Sequence, residues 1–129
     1  MDKNKKILLV EDDEGFLLIL KESFEDTEFF VITAKDGEEG FLKAKNESPD
    51  LILLDIMLPK IDGIKMALKL KEDGVRIPII YLTNVKDSER ISEAVEIGEG
   101  DVDYIVKTDV NIEDIIDRIR RRLNLTNPN

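Results

Sequence analysis

The chain has no histidine and no cysteine among its 129 residues, and only seven glycines and four prolines. Without cysteine there is no disulfide and no thiolate nucleophile. Without either residue the usual zinc ligands and the Ser-His and Cys-His nucleophile pairs are gone too. So few glycines and prolines describe an ordered globule, not a fibrous or low-complexity chain. Long apolar runs are also missing: the polar segment Met1 to Lys6 is followed by only four apolar residues, far short of the hydrophobic core of a secretory signal. A cytoplasmic location is therefore expected, and the N-glycosylation patterns at Asn46 and Asn124 carry no weight there. Positive charge is in short supply as well, since 19 bases against 29 acids leave a net charge of -10. Such a field repels phosphate backbones and anionic lipid, so neither direct nucleic-acid binding nor a membrane partner is expected. Chemistry is left to carboxylates, hydroxyls and lysine.

The length suits one domain across residues 1–129, with a core from about 6 to 123 and a polar tail over 124–129. Five short apolar runs read as strands: Ile7 to Val10, Phe29 to Thr33, Leu51 to Leu54, Pro78 to Leu82, and Tyr104 to Val106. Most lack a polar face, as strands covered on both sides do. Helical spacing fills the gaps, as in Phe16, Leu17, Leu20, Phe24 and in Ile112, Ile115, Ile116, Ile119, Leu123. Asp36 with Glu39 and Asn111 with Asp114 read as helix starts, and Gly74 and Gly98 as helix stops. Regular βα alternation in one domain predicts an α/β fold with a parallel sheet and helices on both faces. With five strands, the flavodoxin-like doubly wound order 2-1-3-4-5 suits the length, and it puts a crevice between strands 1 and 3.

Acids converge on that crevice. The first strand runs into Glu11-Asp12-Asp13 and the third ends at Asp55. Like charges a few ångströms apart repel by several kcal/mol, so the cluster must raise its pKa values or take a cation. Oxygen-only donors with room for water suit Mg²⁺ better than a caged Ca²⁺. Asp13 reads as a cap for the first helix with a ligand role still open, whereas Asp12 and Asp55 end apolar strands and must find a partner for their charge. The fourth and fifth strands add Thr83 and Lys107 at the same edge. Alone, a Thr there is a helix cap and a Lys a solvated charge. Together, a carboxylate nucleophile, a metal held by acids, a hydroxyl and an ammonium are the set that stabilises a transferring phosphoryl group.

From about Lys6 to Leu123 the sequence resembles the receiver domain of bacterial two-component response regulators, of the stand-alone chemotaxis-regulator kind. The match rests on Ile7-Leu8-Leu9-Val10-Glu11-Asp12, on Asp50 through Asp55 to Pro59 and on to Asp62-Gly63, on Leu82-Thr83, and on Tyr104-Ile105-Val106-Lys107. The resemblance implies a phosphorylation-dependent signalling switch in which Asp55 accepts a phosphoryl group from a sensor histidine kinase or phosphotransfer protein. Mg²⁺ would be bound by Asp12, Asp55 and the Met57 carbonyl, with Glu11 assisting through water. Lys107 would contact the phosphoryl oxygen, and Thr83 and Tyr104 would move together to change the surface offered to a downstream target or output domain. The protein would be no enzyme beyond its own phosphorylation and slow dephosphorylation.

The sequence departs from the family at two places. Thr108 follows Lys107 where receivers usually carry a proline, and Glu99 to Asp103 make a longer link before Tyr104. By the same resemblance Met57 and Val85 flank the path of water to the phosphorus, and both are apolar, which predicts a long-lived aspartyl phosphate. Two other readings compete. An aspartyl-phosphate phosphohydrolase would use the same residues but would want an acid at position 57, and a receiver-like interaction module would need none of the acceptor site, all of which is present.

Overall fold

The computed structural model describes residues 4–84, 88–97, 103–108 and 111–125. Val85, the helix stop expected at Gly98, the link from Gly98 to Val102 and the tail Thr126–Asn129 lie outside the described residues. Strands and helices alternate strictly: β1 (Lys5–Val10), α1 (Glu14–Phe24), β2 (Phe29–Ala34), α2 (Gly37–Glu47), β3 (Leu51–Asp55), α3 (Gly63–Glu72), β4 (Ile79–Thr83), α4 (Ser88–Ile97), β5 (Asp103–Val106) and α5 (Ile112–Arg122). All pairings are parallel and the order is β2-β1-β3-β4-β5, as the alternation predicts.

The strands separate their side chains by parity, since successive residues of a strand point to opposite faces. Ile7 and Leu9 of β1, Leu51 and Leu53 of β3, and Ile80 and Leu82 of β4 meet α1 and α5 through Leu20, Phe24, Ile115 and Ile119. Leu8, Val10, Ile52, Leu54 and Tyr81 face the other way, onto Ala44 of α2, Ile64, Met66 and Leu70 of α3, and Ala94 of α4. Two cores of this kind explain why residues 7–10 of β1 and 51–54 of β3 include no polar side chain.

The expected strand limits shift by one or two residues. β1 begins at Lys5 because its ladder with β2 starts at the pair Lys5 and Phe29, and a lysine stem can lie on a strand end. The fourth strand starts after Pro78, which has no N–H for the ladder. At the chain's far end, Asn124 takes φ 58, its N–H bonds the Arg121 carbonyl, and the Leu125 N–H bonds the Arg120 carbonyl. This closes α5 with a Schellman cap and packs Leu125 on the core, two residues past the limit drawn from the sequence.

Register decides where the strands stop. Val10 lies beside Leu54, Leu54 beside Tyr81, and Thr83 beside Val106. Glu11, Asp55, Thr83 and Lys107 therefore leave the sheet side by side along its carboxyl edge.

Candidate functional site

The acidic run after β1 splits into three different environments. Glu11 continues the ladder for one more bond, its N–H donating to the Ala34 carbonyl at 3.0 Å, and its side chain is 1% exposed. Asp12, next along, is exposed. Asp13 caps α1, its Oδ1 accepting from the Gly15 and Phe16 amides at 3.0 and 3.2 Å. The cap expected for Asp13 is present. The buried acid of the run, however, is Glu11 and not Asp12, because the strand continues one residue beyond its last apolar position.

Asp55 ends β3 at 3% exposure. Carboxylate oxygens of Glu11, Asp12 and Asp55 all lie within 4.8 Å of one another. Lys107 reaches over from the end of β5, its Nζ 2.6 Å from Glu11 Oε1 and 3.0 Å from Asp55 Oδ2. Its backbone is held by an N–H bond to the Thr83 carbonyl at 2.9 Å, which ties the ends of β4 and β5 together. Burial, reinforced by the neighbouring Glu11, pushes the Asp55 carboxyl up to about 7 even with Lys107 beside it. Burial and Glu11 also raise Asp12. For Lys107 burial works against the charged form, but Glu11 and Asp55 outweigh it and the ammonium is held above its usual range. The site thus carries more negative charge than its own lysine neutralises, and its donors are all hard oxygens. That composition fits Mg²⁺.

Thr83 is buried at the end of β4, its hydroxyl donating to the Asn84 carbonyl at 2.9 Å. Tyr104 pairs with Tyr81 in the sheet and is 44% exposed. Met57 is 52% exposed, and its amide donates to Asp55 Oδ1 at 3.3 Å. Glu11, Asp12, Asp55 and Lys107 form one cluster, while Tyr104 lies apart on the outer strand β5, in register with Tyr81 and short of the carboxyl edge. Among the described residues no peptide bond is cis, so the Lys107–Thr108 bond is trans.

Behind the acceptor loop, Gly63 begins α3 so near the chain that a Cβ there would come within 2.2 Å of the Asp55 carbonyl oxygen. Only glycine allows that approach. Its N–H bonds the Ile56 carbonyl at 2.8 Å, and Asp62 caps the helix by accepting from the Lys65 amide at 2.9 Å. Asp62 also takes Arg90 of α4, whose Nη2 lies 2.6 Å from Oδ2. Sequence reasoning did not assign this clamp, although an Asp directly before a Gly and an apolar helical run is a cap signal. Its partner, 28 residues on, has no sequence signal. Phe16, which the sequence marks only as part of the apolar spacing of the first helix, also faces the site: the Lys107 Nζ lies 5.0 Å from its ring centroid.

A carboxylate held between an ammonium and other acids, at the carboxyl edge of a doubly wound sheet, can accept a phosphoryl group. Residues 7–120 match the family of the response regulator receiver domain. The chain belongs to that family. This receiver domain is 44% identical over 104 residues to the alkaline phosphatase synthesis transcriptional regulatory protein PhoP of Bacillus subtilis, across 81% of this chain and 42% of PhoP. It spans about half the length, or less, of the curated relatives it matches. Among solved structures it resembles a CheY-like response regulator receiver domain protein from Methanospirillum hungatei, with TM-score 0.82 and 31% identity over 93% of this chain and 94% of that one. It also resembles a chain of the CheX–CheY–BeF3–Mg²⁺ complex of Borrelia burgdorferi, with TM-score 0.79 and 26% identity over 92% and 89% of the two chains. Among the described residues of the receiver domain, no helix is long and apolar enough to cross a membrane.

Proposed function

We propose that this receiver domain is a phosphorylation-operated switch with Asp55 as its acceptor. The observation that carries the reading is the cluster itself, with Glu11, Asp12 and Asp55 converging within 4.8 Å and the Lys107 ammonium 3.0 Å from the acceptor oxygen. Asp55 attacks phosphorus, the bond to a kinase phosphohistidine breaks, and the electron pair leaves with the imidazole nitrogen. Asp12, Asp55 and the Met57 carbonyl would hold Mg²⁺, with Glu11 assisting. When bound, the ion neutralises charge on the phosphoryl oxygens. Lys107 exchanges its carboxylate partner for a phosphoryl oxygen, and Thr83 turns toward the same group. Tyr104 then moves inward, which alters the face made by α4, β5 and α5.

Such a domain catalyses only its own phosphorylation and its slow reversal. The phosphohydrolase reading lacks its second acid, since position 57 is a half-exposed Met. In the cytoplasm the partners would be a histidine kinase or phosphotransfer protein upstream, and a target protein or output domain downstream. The CheY complex of Borrelia, which includes BeF3 and Mg²⁺, supports a metal-dependent acceptor site of this kind. The net charge of -10 weighs against a nucleic-acid or membrane partner for the domain itself.

Incubation with acetyl phosphate and Mg²⁺ tests the reading by intact mass. The expected result is one phosphoryl adduct in the wild type and none in Asp55→Asn. An adduct that survives the substitution would overturn Asp55 as acceptor, and continuous phosphate release at enzyme-like turnover would favour the hydrolase.

A further inference from the structure

We infer that Phe16 is a positioning residue for phosphoryl transfer, its ring face holding the Lys107 ammonium over the acceptor. The inference rests on the phospho-acceptor reading of Asp55 and goes beyond it by adding a residue with no polar atom to the site.

The lysine side chain is 18% exposed and its Nζ lies 5.0 Å from the ring centroid, within the range in which a cation is drawn to an aromatic face. Partial burial strengthens that attraction, because less water competes for the ammonium. The ring is itself fixed. Phe16 sits in the first turn of α1, its amide donates to the Asp13 cap at 3.2 Å, and its side chain packs on the core beneath.

The other two holds on the ammonium are the Glu11 and Asp55 carboxylates, 2.6 and 3.0 Å away, and both change during the reaction. A bound Mg²⁺ would compete for their negative charge. Transfer then turns the attacking Asp55 oxygen into the bridging oxygen of an acyl phosphate, a mixed anhydride, and moves the charge out onto the phosphoryl group. The ring's quadrupole is unaffected by either event. Phe16 therefore keeps the ammonium at the crevice while its ionic partners are exchanged, when it would otherwise be free to swing into water. Position 108 adds weight to this role. It is Thr, so no proline ring stiffens the chain beyond Lys107, and the aim of the ammonium depends on its side-chain neighbours.

Phe16→Leu keeps an apolar side chain of similar volume and removes the ring; Phe16→Tyr keeps the ring. Both are compared with the wild type in adduct formation from acetyl phosphate over a range of donor and Mg²⁺ concentrations. The Lys107 ε-methylene proton shift, displaced upfield by a ring current, is recorded in parallel. The expected result is that Phe16→Leu lowers the maximal rate about three- to tenfold, with Mg²⁺ affinity and unfolding temperature close to wild type. The ε-methylene signal should lose its upfield displacement in the Leu variant. Phe16→Tyr should keep both the signal and the rate. A Leu variant at the wild-type rate, or a Tyr variant as slow as Leu, overturns the ring's role. Absence of any adduct in the wild type overturns the acceptor reading itself, a different result from one in which the wild type reacts and both variants are slow.

Discussion

Asp55 is buried against Glu11, and neither carboxylate has enough water to screen the other. Its carboxyl is accordingly pushed up to about 7, chiefly by burial. A fold selected for stability alone would place an apolar residue here, so the strained acid is a mark of function. The neighbouring acids have divided the remaining tasks, and this division can be tested. Asp13 spends its carboxylate on the amides of Gly15 and Phe16, so Asp13→Ala should cost about 1 kcal/mol of stability, the usual loss of an N-cap, and leave Mg²⁺ affinity nearly unchanged. Asp12 caps nothing and belongs to the acidic cluster, so Asp12→Ala should weaken Mg²⁺ severalfold with little loss of stability. Calorimetric titration together with thermal unfolding separates the two effects, and identical behaviour of the two variants would mean that the wrong acid is assigned. Residue types and spacing were enough to find the acids. Which of them is buried depends on how far β1 runs, and that is set by a bond between Glu11 and Ala34, two residues far apart in the chain.

At the scale of elements, the site depends on how the helices are fastened at their starts. Asp13, Asp36, Asp62 and Asn111 each cap a helix with a side-chain oxygen. Three of these caps were legible from a short polar residue standing before a helical pattern; the Asp62 cap sat inside a motif noticed for another reason. Arg90 was not legible at all, since the contact of α3 with α4 arises from packing across the sheet face. The Asp62–Arg90 pair predicts a pH dependence. Burial disfavours the Asp62 charge, but the Lys65 amide and Arg90 outweigh it and hold the carboxyl below the usual carboxylate range. A lowered folded-state pKa gives stability that is present above the unfolded-state pKa of an aspartate and lost as pH falls through the lower folded value. Asp62→Asn should therefore lower the unfolding temperature at pH 7, where it breaks the pair with Arg90, and the gap from wild type should close as pH falls through the lowered folded-state pKa. Arg90→Met should reproduce the loss at pH 7 with the α3 cap still in place. A gap that is constant with pH would assign Asp62 a cap role only.

The whole molecule combines a permissive scaffold with an unbalanced field. Its architecture was legible almost throughout, because alternating strand and helix patterns in a single domain leave few topologies and the strand count selects one order. The net charge of -10 acts on every part of this scaffold, and at the carboxyl edge three acids share one lysine. Two kinds of cation effect follow, and they can be separated. Sodium chloride screens the global repulsion, so raising it should increase the unfolding temperature modestly and to the same extent in wild type and Asp12→Ala. Mg²⁺ at millimolar concentration should do more in the wild type, because an ion that binds the folded state alone stabilises it by RT ln(1 + [L]/Kd). At ten times Kd that amounts to about 1.4 kcal/mol, or about 5 °C for a domain of this size. The increment should largely vanish in Asp12→Ala, measured at matched ionic strength. If Mg²⁺ and sodium chloride act alike once ionic strength is matched, the acidic edge is only a charged surface, and the metal-dependent acceptor site falls with it.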